Sequence, residues 1–291
     1  MATWLDGLRR NLIARHDSDS PDNRDPEMIH RLYSLLKRPL WRYFRPVISG
    51  LERIPEGPGI YVGNHNGAML MPDVLIFGAA LYERFGVEDL PHGLAHSFGI
   101  SLPAVHQLLT RLGALRGSQS NGVKLLEAGR KVWIYPGGEL DSMRSFWRRD
   151  RVIFGSRRGY IRLALRTGAP IIPFVVAGAH ETLLVLDDGR WLARLLRIDR
   201  LLGVKTWPIV LCLPWGLWIG VPPPHFPLPS RVFVEVLEPI RFDRVGEQAS
   251  RQADYVEACH RLVHGRMEAA LRRLLARRKS GNSLEQRGLR S

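Results

Sequence analysis

A chain of 291 residues, 45% of them apolar, is long enough for one large domain or two small ones and carries a sizeable core. Its formal charge is +14 and all but five of its 42 basic residues are arginine, which either reflects a bias towards Arg codons or marks a surface that attracts phosphate on lipid, cofactor or nucleic acid. Two cysteines, Cys212 and Cys259, cannot build a disulfide framework and fit a reducing compartment, and the lack of Cys/His clusters at metal spacing argues against a structural zinc.

Residues 1–24 are polar and mixed in charge, which predicts a flexible N-terminus without the apolar core and cleavage site of a secretory signal. Asp25-Pro26-Glu27 is a helix start: a capping acid, proline in the first turn, then a second acid at the positive dipole end. Ile29, Leu32, Leu36, Leu40 and Tyr43 follow at helical spacing and predict an amphipathic helical element over 25–48, kinked at Pro39. Its end interleaves Trp41, Tyr43 and Phe44 with Lys37, Arg38, Arg42 and Arg45. That mixture suits a membrane interface, where rings sit at headgroup level and cations meet anionic lipid. It also fits a helix packed on the domain with a solvated basic face.

From residue 49 short β-rich runs alternate with helical patterns, which predicts an α/β sheet. Strands are expected at 59–64 (GIYVGN), in KVWIYP, in PIIPFVV and at 231–237. Helices are expected at 72–86, 101–113, 120–130 and 157–168, and from about Gln252 to Arg278. Residues 279–291 read as a basic flexible tail. Residues 206–230 contain no Lys, Arg, Asp or Glu, but the apolar run is shorter than the ~20 residues a spanning helix needs, and prolines interrupt it. It is expected to dip into a membrane or line a tunnel, or else to be buried core.

Four stretches occur in order: GNHNGAMLMPD (63–73), LGALRGS (112–118), YPGGELDSM (135–143) and GAPIIPFVV (168–176). Together they resemble the four blocks of the glycerolipid and lysophospholipid (1-acylglycerol-3-phosphate acyltransferase-like) acyltransferase superfamily. The likeness covers roughly 45–240. It is nearest the Pro-Gly-Gly branch that includes diacylglycerol and monoacylglycerol acyltransferase-like proteins.

The resemblance implies transfer of an acyl group from a thioester to an alcohol. A hydroxyl is a poor nucleophile until a base takes its proton, and His65 is the natural base because neutral imidazole is available near pH 7. A carboxylate on the other ring nitrogen would fix the tautomer. The thioester is already activated, and the sequence accordingly lacks a Gly-x-Ser-x-Gly elbow. The family spacing places the acid at position 70, which is Leu70 here; Asp73 is the nearest downstream acid. A turn holding Gly67 could fold Asp73 back to His65; otherwise Asp73 caps the next helix and His65 works unassisted.

By the same resemblance Arg116 is the acceptor-binding cation of the second block. The third block has Pro136-Gly137-Gly138-Glu139 where the family pattern is Pro-Glu-Gly, so Glu139 and Asp141 are the acids left to place an acceptor. Gly137 and Gly138 allow close backbone approach and could offer N–H groups to an oxyanion. Loss of the usual acid favours a neutral or bulkier acceptor over a phosphate-bearing one. Phe174 and Trp207 are candidates to line an acyl channel. His92, His96, His106, His180 and His225 show no metal-ligand spacing.

The expected fold is a single α/β domain over 49–278, with a central mixed, largely parallel sheet flanked by helices and an N-terminal membrane-docking helical element. The expected function is O-acyl transfer to a glycerolipid or lysophospholipid hydroxyl, without metal or cofactor. Acyl-CoA or an acyl-carrier protein would be donor, a membrane lipid partner, and the cytoplasmic face of a membrane the location, held peripherally or monotopically. No specific nucleic acid is expected. The rivals are a lipid hydrolase and a catalytically weak or inactive basic membrane-binding protein on the same fold.

Overall fold

The computed structural model describes residues 16–67, 71–95, 103–201 and 203–288. Helix α1 (Pro26–Phe44) begins where its signals lie: the Asp25 carboxylate accepts the Met28 N–H at 2.9 Å, and Pro26 occupies the first turn, where an N–H has no partner to lose. The helix continues through Pro39 and ends at Arg45, whose left-handed φ of 44° stops propagation. Strand β1 (Val47–Ser49) follows, so the helical element is shorter than 25–48.

Residues 16–24, expected to be flexible, are tied to the domain. Arg116 N–H donates to Ser18 O at 2.8 Å, Asn121 Nδ2 donates to Asp19 at 2.6 Å, and the Arg24 guanidinium donates to Val87 O at 3.3 Å. The remainder of that stretch, 1–15, lies outside the described residues.

Alternation then sets in: β2 (Gly59–Gly63), α2 (Pro72–Phe85), β3 (His92–Ala95), α3 (Pro103–Arg111), β4 (Leu115–Arg116), α4 (Gln119–Glu127), β5 (Lys131–Ile134), α5 (Glu139–Ser142), α6 (Gly159–Thr167) and β6 (Ile171–Ala177). An excursion follows, made of β7 (Leu184–Asp187), α7 (Arg190–Leu195), α8 (Ile198–Leu201), β8 (Ile209–Cys212) and β9 (Gly216–Ile219). The chain returns as β10 (Phe233–Val236) and closes with α9 (Glu247–Arg251) and α10 (Ala253–Gly288).

The main sheet has the order β1-β10-β6-β2-β5-β3-β4. Every neighbouring pair is parallel except β10 with β6. In β2 and β6 every residue is buried, which explains why their sequences are continuous apolar runs rather than alternating ones: helices cover both faces. On one face α4, α6 and α10 bury Leu125, Ile161, Val263 and Met267 against Ile60 and Val132. On the other α1 and α2 bring Ile29, Ile76 and Phe77 onto Tyr61, Trp133 and Phe174. Full burial of one such side chain stabilises by about 1.5–3 kcal/mol.

This is the expected mixed, largely parallel α/β domain. Two other expectations change. Phe174 is fully buried among Phe77, Trp133 and Tyr135, so it is core and not the wall of an acyl channel. Helix α10 passes Arg278 and continues to Gly288, through a stretch with no proline to stop it. Among the described residues no helix is long and apolar enough to cross a membrane.

Candidate active site

In open α/β sheets ligands gather beyond the carboxyl ends of the parallel strands. At that edge β2 runs into Asn64-His65-Asn66. Asn64 extends the strand with its side chain: Nδ2 donates to Val176 O at 2.9 Å, and its Oδ1 accepts the Val176 N–H at 2.8 Å. The backbone is thereby held to β6 for one more step, and His65 projects from the strand end with its side chain 13% exposed.

Asp73 returns to it. Gly67 takes φ +72°, a left-handed turn that L side chains rarely adopt, and α2 starts at Pro72. Asp73, in the first turn and fully buried, places Oδ2 3.6 Å from His65 Nδ1. The negative charge sits at the helix end that favours it. The Asn66 N–H lies between the two groups, 3.1 Å from Nδ1 and 3.2 Å from Oδ2. One proton thus serves two acceptors. When the carboxylate takes it, Nδ1 carries its own proton towards Asp73 and leaves Nε2 unprotonated; catalytic hydrogen bonds are commonly long before substrate binds. Leu70, which stands at the usual position of the acid, lies outside the described residues.

Beneath the ring lies Tyr135, stacked at 4.2 Å between centroids and 12° between planes. Burial, then the nearby Asp73 carboxylate, pushes its phenol well above the usual range, so it stays neutral. Tyr135 belongs to the YPGG stretch at the end of β5, which places that stretch beside the histidine.

The acids and glycines of this stretch have other duties than those expected. Asp141 is fully buried; its Oδ2 accepts the His65 N–H at 2.6 Å and its Oδ1 accepts the Ile153 N–H at 3.1 Å. Asp141 therefore holds the histidine backbone and presents no carboxylate to an acceptor. Burial raises its pKa, and Arg144 opposes that. Gly137 is needed because a Cβ there would run into Ile153 O and the Asp141 side chain. The Gly138 N–H donates to Tyr135 O at 3.0 Å, so it is spent in the turn and not offered to an oxyanion. Glu139 is gripped by Arg157 through two 2.8 Å bonds, and Arg157 also donates to Gly137 O at 2.6 Å.

Arg144, which the sequence reading passed over, ties these parts together. It is fully buried and donates to His65 O at 2.7 Å, to Asp141 Oδ1 at 3.1 Å and to Asn66 Oδ1 at 2.6 Å. Its only signal in the sequence is the Asp-x-x-Arg spacing, and it lies two residues beyond the end of α5, close enough to reach back to Asp141. His180 supports it from below, its Nε2–H donating to Arg144 O at 2.8 Å. Burial, then the Arg144 charge, lowers the His180 pKa well below the ordinary value and keeps it neutral.

Arg116 stands apart. On β4, three strand spacings or about 14 Å along the same edge from β2, it is ion-paired with Asp19. A substrate phosphate would have to displace that carboxylate, which Asn121 and Arg116 hold below its usual pKa. A cavity of about 570 Å³ lies behind the Asp141 loop, lined by Trp147, Phe154, His260, His264 and Glu268. It does not include His65, and its histidines are already engaged, with Tyr160 Oη and Val152 O respectively. Among the described residues no group of His, Cys, Asp and Glu is arranged to hold a metal.

The family described as Acyltransferase matches residues 45–177. An uncharacterized protein of Mycobacterium tuberculosis is 29% identical over 256 residues, 85% of this chain and 68% of that one. A Gallus gallus protein named "DGAT1/2-independent enzyme synthesizing storage lipids" is 28% identical over 196 residues, 67% of this chain and about half, 52%, of its own length. The crystal structure of the 1-acyl-sn-glycerophosphate (LPA) acyltransferase PlsC from Thermotoga maritima superposes with a TM-score of 0.51 at 17% identity, covering 92% of this chain and 87% of that one, which is a likeness of fold.

Proposed function

We propose that the chain is a member of the glycerolipid acyltransferase superfamily, a reading supported by the Acyltransferase match over 45–177 and the PlsC-like fold, and that it moves a fatty acyl group from an acyl thioester to a glycerolipid or lysophospholipid hydroxyl, with His65 as general base. The observation that carries this reading is the placement of His65 Nδ1 3.6 Å from the buried Asp73 carboxylate at the sheet edge, with the opposite ring nitrogen turned away from it.

His65 Nε2 takes the proton of the acceptor hydroxyl as its oxygen bonds to the thioester carbonyl carbon. Asp73 stabilises the imidazolium that forms. The tetrahedral intermediate then collapses, the carbon–sulfur bond breaks, and the departing thiolate takes the proton from Nε2. The products are an ester and a free thiol, and no group on the enzyme is acylated. Asp141, Arg144 and Asn66 act as positioning residues that fix the backbone on either side of the imidazole. The donor is acyl-CoA or an acyl-carrier protein, the acceptor a membrane lipid, and the site of action the cytoplasmic face of a membrane. The interleaved rings and cations at the end of α1 support peripheral attachment there.

The test incubates purified protein with labelled acyl-CoA or acyl-carrier protein and, in turn, lysophosphatidic acid, other lysophospholipids, monoacylglycerol and diacylglycerol. The expected result is a labelled ester with one acceptor class, absent with His65→Ala. Release of free fatty acid irrespective of acceptor would replace this reading with a hydrolase. No turnover with any acceptor or donor would leave a binding protein on an acyltransferase fold.

A further inference from the structure

Among the described residues the large apolar side chains left in water concentrate in the excursion between β6 and β10. Along β8 and the residue after it the pattern alternates: Val210 and Cys212 face inward onto Met143, Leu183 and Val185, while Leu211 and Leu213 face out. In β9 it does not alternate. Leu217, Trp218 and Ile219 are all exposed, Leu217 at 63%, and Phe226 beyond them at 70%. β9 pairs with β8 alone, so it is an edge strand. An apolar edge without a single charge from 206 to 230 is what proteins normally avoid, because it invites pairing with another chain or burial in another phase.

We propose that this excursion is the surface by which the protein docks on an anionic lipid bilayer, with the β8–β9 hairpin entering the headgroup boundary. Three observations favour lipid over other occupants. First, the rim is cationic: Arg190, Arg194, Arg197, Arg200 and Lys205 stand against Asp187, Asp188 and Asp199, and Asp188 is already paired with Arg190 at 2.9 Å. A second copy of the chain seated on the hairpin by two-fold symmetry would set this rim against itself. Second, Trp191, Trp215 and Trp218 are exposed here, and tryptophan is the residue that settles at headgroup depth.

Third, the surface is continuous with both the active-site edge and α1. Leu228 N–H donates to Thr182 O at 2.8 Å, so the excursion leaves and rejoins at the end of the main sheet that carries His65. Phe226 N–H donates to Leu213 O at 2.8 Å, and the Tyr43 hydroxyl donates to Pro227 O, which brings the aromatic and basic end of α1 against the hairpin. Docking would thus press the mouth of the site onto the phase that holds its acceptor. That benefit rests on the proposed lipid acyl transfer, whereas docking itself is measured without it.

The experiment floats the full chain with vesicles of phosphatidylcholine and phosphatidylglycerol, or of phosphatidylcholine alone. The wild type is expected to float with the anionic vesicles. Leu217→Glu with Ile219→Glu is expected to lower binding about a hundredfold, and Arg194→Glu with Arg197→Glu about tenfold on the anionic vesicles only. Leu262→Glu, an exposed apolar position on α10, is the control expected to bind as wild type. Should the hairpin variant lose its fold, quenching by brominated lipids decides: it is expected in the wild type and reduced in Trp215→Phe with Trp218→Phe. Equal flotation of hairpin variant and wild type, or quenching indifferent to those tryptophans, overturns the proposal. So does a wild-type dimer that Leu217→Glu dissociates while vesicles bind neither form. His65→Ala is expected to float normally, so a failure of catalysis and a failure of docking are read separately.

Discussion

At the end of β2 the molecule hides charge, and at the tip of the β8–β9 hairpin it displays grease. Arg144 and Asp141 are buried completely, yet a guanidinium and a carboxylate both lose water at a cost of several kcal/mol each. Leu217 and Trp218 stand in water although the core is a few residues away. The first departure is repaid locally, since Arg144 bonds His65, Asn66 and Asp141 in one network and so fixes the backbone around one imidazole. The second finds no compensation among the described residues, and the proposed lipid docking would supply it. A sequence that obeys the usual sorting nearly everywhere departs from it at the candidate site and at the proposed docking hairpin.

The sharpest way to break the first half of this contrast is Arg144→Met. It leaves the Asp141 carboxylate buried without its cation and is expected to cost about 3–5 kcal/mol in urea unfolding, with part regained in the double variant with Asp141→Asn. A loss under about 1 kcal/mol would mean that the network holds nothing in place. Asp73→Asn removes the charge proposed to orient and stabilise the imidazolium. It is expected to lower kcat/KM tenfold or more, about 1.4 kcal/mol in the transition state, and near-normal turnover would take Asp73 out of the mechanism.

Acid tests two buried histidines, His92 at the start of β3 and His180 beside Arg144. Burial, then Arg24, brings His92 down to about 3, and burial, then Arg144, lowers His180 well below its ordinary value. Both are neutral when folded and take up protons on unfolding below about pH 6.5, so the unfolded chain binds more protons and stability falls as pH falls. The slope is at most about 1.4 kcal/mol per pH unit for each group. Asp141, raised by burial, works in the opposite sense, so the slope is compared between wild type and a His180 variant, where the Asp141 contribution is common to both. His180→Gln should flatten the slope of melting temperature against pH; an unchanged slope would show that His180 is not held neutral. The smallest effect sharpens the second half of the contrast. Leu217→Glu alone is expected to change stability by less than about 0.5 kcal/mol, because its side chain rests on nothing that folding needs.

Much of the frame was legible because it follows from local physics. The unbroken apolar runs of β2 and β6, the Asp25-Pro26 helix start and the return of Asp73 to His65 around Gly67 all lie within short stretches of chain. What stayed hidden depends on contacts made across the sequence. Arg144 looks like one arginine among many until folding buries it, and Asp141 looks like a substrate ligand until its oxygens are seen on the His65 and Ile153 amides. Tyr135 lies under the imidazole only because β5 pairs with β2. The run 206–221 was legible as apolar and uncharged, but not as a hairpin: its alternation covers only β8, and β9 is apolar on both faces.

The central claim is that the imidazole of His65 takes the acceptor's proton. The most direct measurement is kcat/KM for transfer of a labelled acyl group from its thioester to the accepted lipid, wild type against His65→Ala, with vesicle flotation and melting temperature confirming that docking and fold are retained. A loss of ~10²–10⁴-fold is predicted. A His65→Ala protein that is folded and membrane-bound, and still transfers acyl groups within a few-fold of the wild-type rate, would contradict it.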